Sequence, residues 1–306
     1  MAAIVATILA ATAVGVWAEG RYGGRAGVAA RRALLFVLYV VLPPATFFNL
    51  AHVEVNADIG IGVVLGIVAL AAATLIAWWA GTRLLGLGRP AVGSMLCCTL
   101  VANTGYLGYP LVAALLGFDR LSEAVAYDIL VSSPALLLAA FSVGAAFGER
   151  AGAGPRQRIA AFFTRNPPLY AAILALIAPE ALAPDVLVDA SRVAIVAILP
   201  LGFFAVGAAL AEEGEEGAIP IPPPLDAPVA AIVAIRLLVA PGLLYLLALP
   251  LIELPDTYLL LAAMPCGINT MIVTHAYGLD LRISAGAVAW STAIAVAAIA
   301  PLSIIA

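Results

Sequence analysis

Residues 103–110 read Asn-Thr-Gly-Tyr-Leu-Gly-Tyr-Pro, and residues 265–270 read Pro-Cys-Gly-Ile-Asn-Thr. Each stretch lies inside a long apolar run, although proline removes a backbone donor and glycine weakens a helix. Irregular backbone is tolerated at membrane depth only where it faces protein or a water-filled cavity. The two stretches therefore predict two helices that are unwound or kinked in mid-membrane. Such a pair is the pattern expected at the binding site of a secondary transporter.

The composition of the whole chain agrees with a membrane location. Of its 306 residues, 64% are hydrophobic and 10% are charged, and the mean hydropathy is +1.12. A soluble domain has about a quarter of its residues charged, so a soluble enzyme, a disordered protein and a nucleic-acid binder are excluded. The two-residue alternation of a membrane barrel is absent. The sequence predicts an all-α polytopic protein with ten spans, at residues 2–18, 33–51, 58–82, 91–117, 122–147, 167–183, 191–211, 227–249, 256–278 and 284–305.

The two halves of the chain resemble each other. A Pro-x-x-Phe-Phe pattern occurs at residues 44–48 in span 2 and at residues 200–204 in span 7. Because each half has an odd number of spans, the second half must be inverted in the membrane, as in many secondary transporters. The predicted organisation is a first five-helix repeat over 1–147, a cytoplasmic linker over 148–166 and a second, inverted repeat over 167–306.

Arginine positions predict the orientation. The chain has no lysine, and eleven of its fourteen arginines fall in the odd-numbered loops, against two in the even-numbered loops. Positive residues favour the cytoplasmic side, so we expect both termini to face outward from a cytoplasmic membrane. The acidic run at 212–216 lies in the seventh loop and is interpreted as a solvated linker, because acids count little in this rule.

Two charged residues inside the spans are candidates for a functional role. Asp128 lies in span 5 and Arg236 in span 8; a lone charge at mid-bilayer costs at least ~2.5 kcal/mol. One interpretation, slightly favoured, is a structural ion pair between them. The other is that Arg236 attracts an anionic substrate while Asp128 takes up a proton. His275 in span 9 is a third candidate for proton coupling, although such a histidine more often only reaches the interface.

Other chemistries have little support in the sequence. There is no Walker-type nucleotide motif, no cluster with metal-ligand spacing, and no base near Ser132 and Ser133. His52 falls in an outer loop, and the three cysteines lie in apolar runs. A membrane-embedded enzyme is therefore the weakest hypothesis.

Four stretches resemble the auxin efflux carrier family of membrane transporters. They are residues 103–110, the Arg-Asn-Pro-Pro at 165–168, the Ile-Arg-Leu-Leu-Val-Ala-Pro at 235–241, and residues 263–269 with the Tyr-Gly-Leu-Asp at 277–280. The resemblance implies two inverted five-helix repeats, in which spans 1, 2, 6 and 7 form a scaffold. Spans 3–5 and 8–10 form a moving transport domain, and the broken spans 4 and 9 cross at the site.

The resemblance also implies elevator-type alternating access for small organic anions, such as auxin or dicarboxylates. Asn103 and Pro265 would lie at the crossover, Pro43 would line the scaffold side of the pocket, and a homodimer would form through the scaffold. The long cytoplasmic loop of the plant carriers is missing here, so auxin is only one candidate substrate. The chain is closer in length to microbial members and to the related bile acid:sodium symporters.

The sequence thus predicts a secondary active or facilitative organic-anion transporter in a lipid bilayer, with no enzymatic activity and no nucleic-acid partner. Half-helix N-termini would attract the substrate carboxylate, and H⁺ or Na⁺ would be the coupling ion. The alternatives are a sodium-coupled symporter of bile-acid-like anions and a non-transporting membrane sensor. The candidate substrate-binding residues are Asn103, Thr104, Gly105, Pro110, Pro265, Gly267, Asn269, Thr270 and Pro43.

Overall fold

The computed structural model describes residues 2–51, 57–149, 156, 167–215 and 223–299, and these are helical apart from short connections. Several predicted features lie outside the described residues. They are His52, most of the linker 148–166 with the Arg165–Asn166 pair, the end of span 10, Glu216 and Pro220–Pro222.

The described residues up to 149 contain eight α-helices. Short π-helical or 3₁₀ segments join several of them, at Val37–Val41, Ala80–Leu84, Thr104–Gly108, Phe118–Arg120, Asp128–Ser132 and Ala135–Ala140. The α-helices are α1 (Ala2–Tyr22), α2 (Arg25–Phe36), α3 (Leu42–Leu50), α4 (Ala57–Trp79), α5 (Arg89–Leu100), α6 (Tyr109–Leu115), α7 (Leu121–Tyr127) and α8 (Phe141–Phe147).

The second half is built in the same manner. A 3₁₀ turn at Glu180–Leu182 and a π-helical segment at Ile235–Val239 lie between its helices. These helices are α9 (Pro167–Ile177), α10 (Asp185–Ala197), α11 (Leu199–Glu215), α12 (Ala227–Ala234), α13 (Ala240–Ala248), α14 (Asp256–Ala262), α15 (Asn269–Tyr277) and α16 (Leu281–Ile299).

Five continuous stretches of the described residues are long and apolar enough to cross a membrane. They are Ile59–Leu84, Phe118–Phe147, Asp185–Ala208, Ala227–Ala248 and Leu281–Ala298, and they correspond to predicted spans 3, 5, 7, 8 and 10. Spans 4 and 9 are absent from this group because each is divided into two helices. Span 6 is shorter than predicted, since α9 ends at Ile177 and Pro179 and Pro184 follow.

The helices pack in two groups. In the first, α1 lies along α11, α3 contacts α9 and α10, and α2 contacts α11. In the second, α4 contacts α5 and α13, while α5 contacts α8 and α16. The groups meet where α3 contacts α7, where α10 contacts α6, and where α11 contacts Thr104–Gly108. The segments of predicted span 4 therefore lie partly against the first group.

The contact between α1 and α11 is unusually close and depends on glycine. A Cβ added to Gly207 would lie 2.1 Å from the Thr12 carbonyl oxygen, and one added to Gly15 would lie 2.2 Å from the Phe204 carbonyl oxygen. Small residues allow the backbones of membrane helices to approach in this way.

We expect Gly207→Ala to lower the melting temperature of the purified protein. The added methyl group must push the two backbones apart, and overpacking of this kind costs roughly 1–3 kcal/mol. The control is Gly60→Ala on α4, where an added Cβ meets no atom within 4 Å. Equal melting temperatures for the two variants would contradict the packing described here.

Candidate functional site

The two divided spans meet at their breaks. In span 4, α5 ends at Leu100 and helical structure resumes at Thr104; in span 9, α14 ends at Ala262 and α15 begins at Asn269. The connecting segments run antiparallel, with a bridge between Ala102 and Cys266. We refer to these segments, residues 101–103 and 263–268, as the crossover.

Two backbone hydrogen bonds join the crossover segments. The Asn103 amide donates to the Pro265 carbonyl oxygen at 2.8 Å, and the Gly267 amide donates to the Val101 carbonyl oxygen at 2.8 Å. Residue 267 must be small here, because an added Cβ would lie 2.9 Å from the Ala102 carbonyl oxygen. The Cys266 amide donates a hydrogen bond to the Ser291 hydroxyl of span 10 at 3.0 Å. The buried polar backbone of the crossover is thus largely satisfied by protein.

The position of the first break differs from the prediction. The sequence predicts residues 103–110 to be unwound or kinked; the unwound residues are 101–103, Thr104–Gly108 is π-helical and Tyr109 begins α6. Pro110 is buried in α6, in a helix that runs without interruption from Thr104 through the π-helical segment. The break in span 9 falls at Ala263–Ile268, which includes the predicted Pro265 and Gly267.

The N-terminal end of the second part of span 4 presents free backbone donors. The first N–H groups of a helical segment have no partner within it. Here Gly108 is the first residue of the described segment whose amide donates to a backbone carbonyl, the Asn103 oxygen at 3.0 Å. Gly105 is half-buried, and a Cβ added there would meet no atom within 4 Å. A carboxylate can therefore approach this turn.

The corresponding end in span 9 is more satisfied. The Thr270 and Met271 amides bond the Gly267 and Ile268 carbonyl oxygens at 3.0 and 2.9 Å. Asn269 is half-buried, whereas Thr270 is fully buried and its hydroxyl has no hydrogen-bond partner in the described structure. The two half-helix ends are therefore unequal, and the Thr104–Gly108 end has the greater capacity to bind an anion.

Asp128 lies against the same half of span 4. Its carboxylate accepts hydrogen bonds from the Thr104 hydroxyl and, at 2.7 Å, from the Tyr109 hydroxyl. Asp128, which belongs to span 5, thus contacts the beginning of the second helical part of span 4 and stabilises its position. A change in the charge of Asp128 would alter both hydrogen bonds.

Arg236 bonds backbone oxygens instead of a carboxylate. Its Nε donates to the Met264 oxygen at 2.9 Å and one terminal nitrogen donates to the Thr99 oxygen at 3.4 Å. The favoured interpretation of an Asp128–Arg236 ion pair is therefore wrong, because no such pair forms between these two described residues. Each charge is satisfied by polar groups of the broken helices.

The remaining predicted residues lie at different distances from the crossover. Pro265 and Gly267 are buried within it, and Asn103 is buried at its edge. Pro43 is half-buried in the first turn of α3, a helix that contacts α7. His275 is exposed on α15, six residues after Asn269. The structure thus does not bring His275 into the group formed by the other residues.

Sequence reasoning missed three side chains that support the site. Tyr109 bonds Asp128, Ser291 bonds Cys266, and the ring of Tyr106 packs on Gly202 of α11, where an added Cβ would lie 2.5 Å from the ring. Both tyrosines belong to the quoted stretch 103–110, so their proximity to the break was a usable signal. Ser291 lies in an apolar run with no distinguishing pattern.

Comparison with known proteins points to transport. Residues 162–302 match the family model described as membrane transport protein. An uncharacterized transporter of Methanocaldococcus jannaschii is 26% identical over 145 residues, which are 46% of this chain and 45% of that protein. The alignment therefore spans less than half of the relative. Residues 162–302 are thus similar to a family of membrane transport proteins, and this match confirms the resemblance to the auxin efflux carrier family.

Proposed function

We propose that the protein is a secondary transporter of small organic anions and that the substrate carboxylate binds at the crossover. The observation that carries the proposal is the free helix end at Thr104–Gly108 beside the open space at Gly105. Backbone N–H groups and the positive end of the helix dipole favour an anion there. Asn103 and Asn269 add side-chain donors on either side of the crossing point.

We further propose ten spans arranged as two inverted repeats that work by an elevator movement. The grouping of the helices supports this division. Spans 1, 2, 6 and 7 contact one another through α1, α3, α9, α10 and α11, and spans 3–5 and 8–10 pack through α4, α5, α12, α13 and α16. The first group would be the scaffold, through which a homodimer would form. The second would carry the crossover across a cytoplasmic membrane, with both termini outside.

Proton coupling through Asp128 completes the proposal. The carboxylate bonds Thr104 directly, so its protonation would change the half-helix that binds the substrate. A sodium-coupled symporter of bulkier anions is the second candidate, since carbonyl oxygens at broken helices are typical sodium ligands. A membrane sensor would bind such anions without transporting them.

The proposal is tested by flux into liposomes that contain the purified protein. We expect saturable uptake of one or more labelled mono- or dicarboxylates or indole acids, measured with and without pH and Na⁺ gradients. The Asn103→Ala/Asn269→Ala double variant should lose at least about tenfold in rate, because ~1.4 kcal/mol of binding free energy corresponds to a factor of ten.

The control is Ser142→Ala, which removes a polar side chain from the exposed face of α8. Normal flux in the double variant would contradict the position of the site but not transport. Absence of flux for every compound, from protein that is folded and binds a substrate, would favour the sensor. Uptake that requires Na⁺ would favour the symporter.

A further inference from the structure

Arg236 is a buried cation in the middle of the helical stretch Ala227–Ala248. Only 3% of the residue is exposed, and the two backbone oxygens that it bonds, Thr99 and Met264, come from different spans. Thr99 lies in the last turn of α5, and Met264 follows the end of α14. Arg236 therefore bonds both half-helices on the side where their chains enter the crossover.

Both of these helix ends carry negative partial charge. The last carbonyl groups of a helix have no intrahelical partner, and the dipole places about −0.5 charge there. The neighbouring oxygens of Val101 and Pro265 already accept the hydrogen bonds between the crossover segments. The bonds between the crossover segments do not use the Thr99 and Met264 oxygens. Arg236 donates hydrogen bonds to these two oxygens instead.

No carboxylate of the described residues lies within ion-pair distance of Arg236. Its positive charge is therefore balanced by the carbonyl ends themselves. Beside the guanidinium is a cavity of about 20 Å³ that is also lined by Leu100, Ala102, Tyr127 and Ser132. A space of this size holds about one water molecule.

Half-helix C-terminal ends and unwound carbonyls coordinate the coupling cation in many secondary transporters. Here a side chain already occupies that position. We infer that Arg236 is a covalently attached substitute for a mobile cation at the crossover, so this protein needs no Na⁺ to hold its broken helices together. Arg236 is accordingly a positioning residue. The inference deepens the proposed function, because it assumes that the crossover is the transport site and removes Na⁺ as its coupling ion.

The test is thermal unfolding of the full-length protein in detergent, at constant ionic strength, in NaCl or choline chloride. We expect the same melting temperature in both salts for the unchanged protein. Arg236→Ala should melt at least about 5 °C lower, and it should recover part of the difference when millimolar guanidinium or Na⁺ is added. Arg236→Lys should retain most of the stability without added cation. Arg83→Ala, which removes an exposed arginine, should show neither the loss nor the recovery.

Stabilisation of the unchanged protein by Na⁺ would overturn the inference, because it would show an open cation site. A melting temperature of Arg236→Ala that does not fall, or that no cation restores, would overturn it as well. If Arg236→Ala does not fold, the comparison of NaCl with choline in the unchanged protein and in Arg236→Lys still decides. Since unfolding needs no substrate, its outcome is independent of the flux experiment, which tests the proposed function.

Discussion

Replacing Asp128 with asparagine is expected to abolish accumulation driven by a pH gradient while substrate-for-substrate exchange continues. Asparagine has nearly the same shape and can still accept a hydrogen bond from Thr104 or Tyr109, which both donate to the native carboxylate. It cannot take up a proton at any pH of the assay. The carrier would therefore still bind its substrate and change conformation, but net movement would no longer be coupled to protons.

The measurement is uptake by proteoliposomes with an imposed pH gradient, followed by counterflow in preloaded vesicles. We expect net uptake to fall at least about tenfold, which corresponds to ~1.4 kcal/mol, with counterflow within about twofold of the unchanged protein. The control is Asp119→Asn, which neutralises a carboxylate whose side chain is 77% exposed. The Tyr109 hydroxyl donates to Asp128, so Tyr109→Phe serves to separate the effect of the hydroxyl from that of the carboxylate. An unchanged gradient response in Asp128→Asn would remove Asp128 from the coupling step.

Gly267→Ala is expected to disable transport through the backbone alone. The added Cβ would lie 2.9 Å from the Ala102 oxygen and 3.1 Å from its carbonyl carbon. These backbone atoms can move away only if the hydrogen bonds between the crossover segments lengthen, and each such bond contributes ~1 kcal/mol. We expect a fall in flux of at least about tenfold together with a lower melting temperature.

The matched control for this variant is Gly242→Ala on α13, where an added Cβ meets no atom within 4 Å. Flux and melting temperature are measured on the same preparations, so that a loss of folded protein is not mistaken for a loss of transport. A Gly267→Ala protein that transports at the normal rate would show that the crossover does not need its observed spacing.

The breaks in spans 4 and 9 were predictable because their causes are local. Proline and glycine weaken the helix that contains them, so the stretches 103–110 and 265–270 predict two interruptions without any knowledge of the fold. The exact residues at which the helices break were harder to predict. Pro110 lies inside the helix that runs from Thr104 to Leu115, whereas the chain unwinds at 101–103, where no proline occurs.

The partners of the buried charges could not be derived from the sequence. Opposite charges in one bundle suggested an ion pair between Asp128 and Arg236, since the composition reveals side-chain charges but not backbone dipoles. One partner of Arg236 is the Thr99 oxygen, which lies 137 positions away in the sequence. That oxygen is free to accept this bond only because α5 ends nearby. Long-range geometry creates this acceptor, and no residue type marks it.

The packing of Tyr106 on Gly202 would affect the rate of the proposed elevator movement. A flat ring rests there against bare backbone, because any side chain at 202 would collide with it. Two surfaces that interdigitate must separate before they can slide, and that separation adds to the activation free energy. At this contact no side chain of α11 blocks the Tyr106 ring, so the proposed movement would meet little steric resistance there, and a bulkier residue at 202 would slow it.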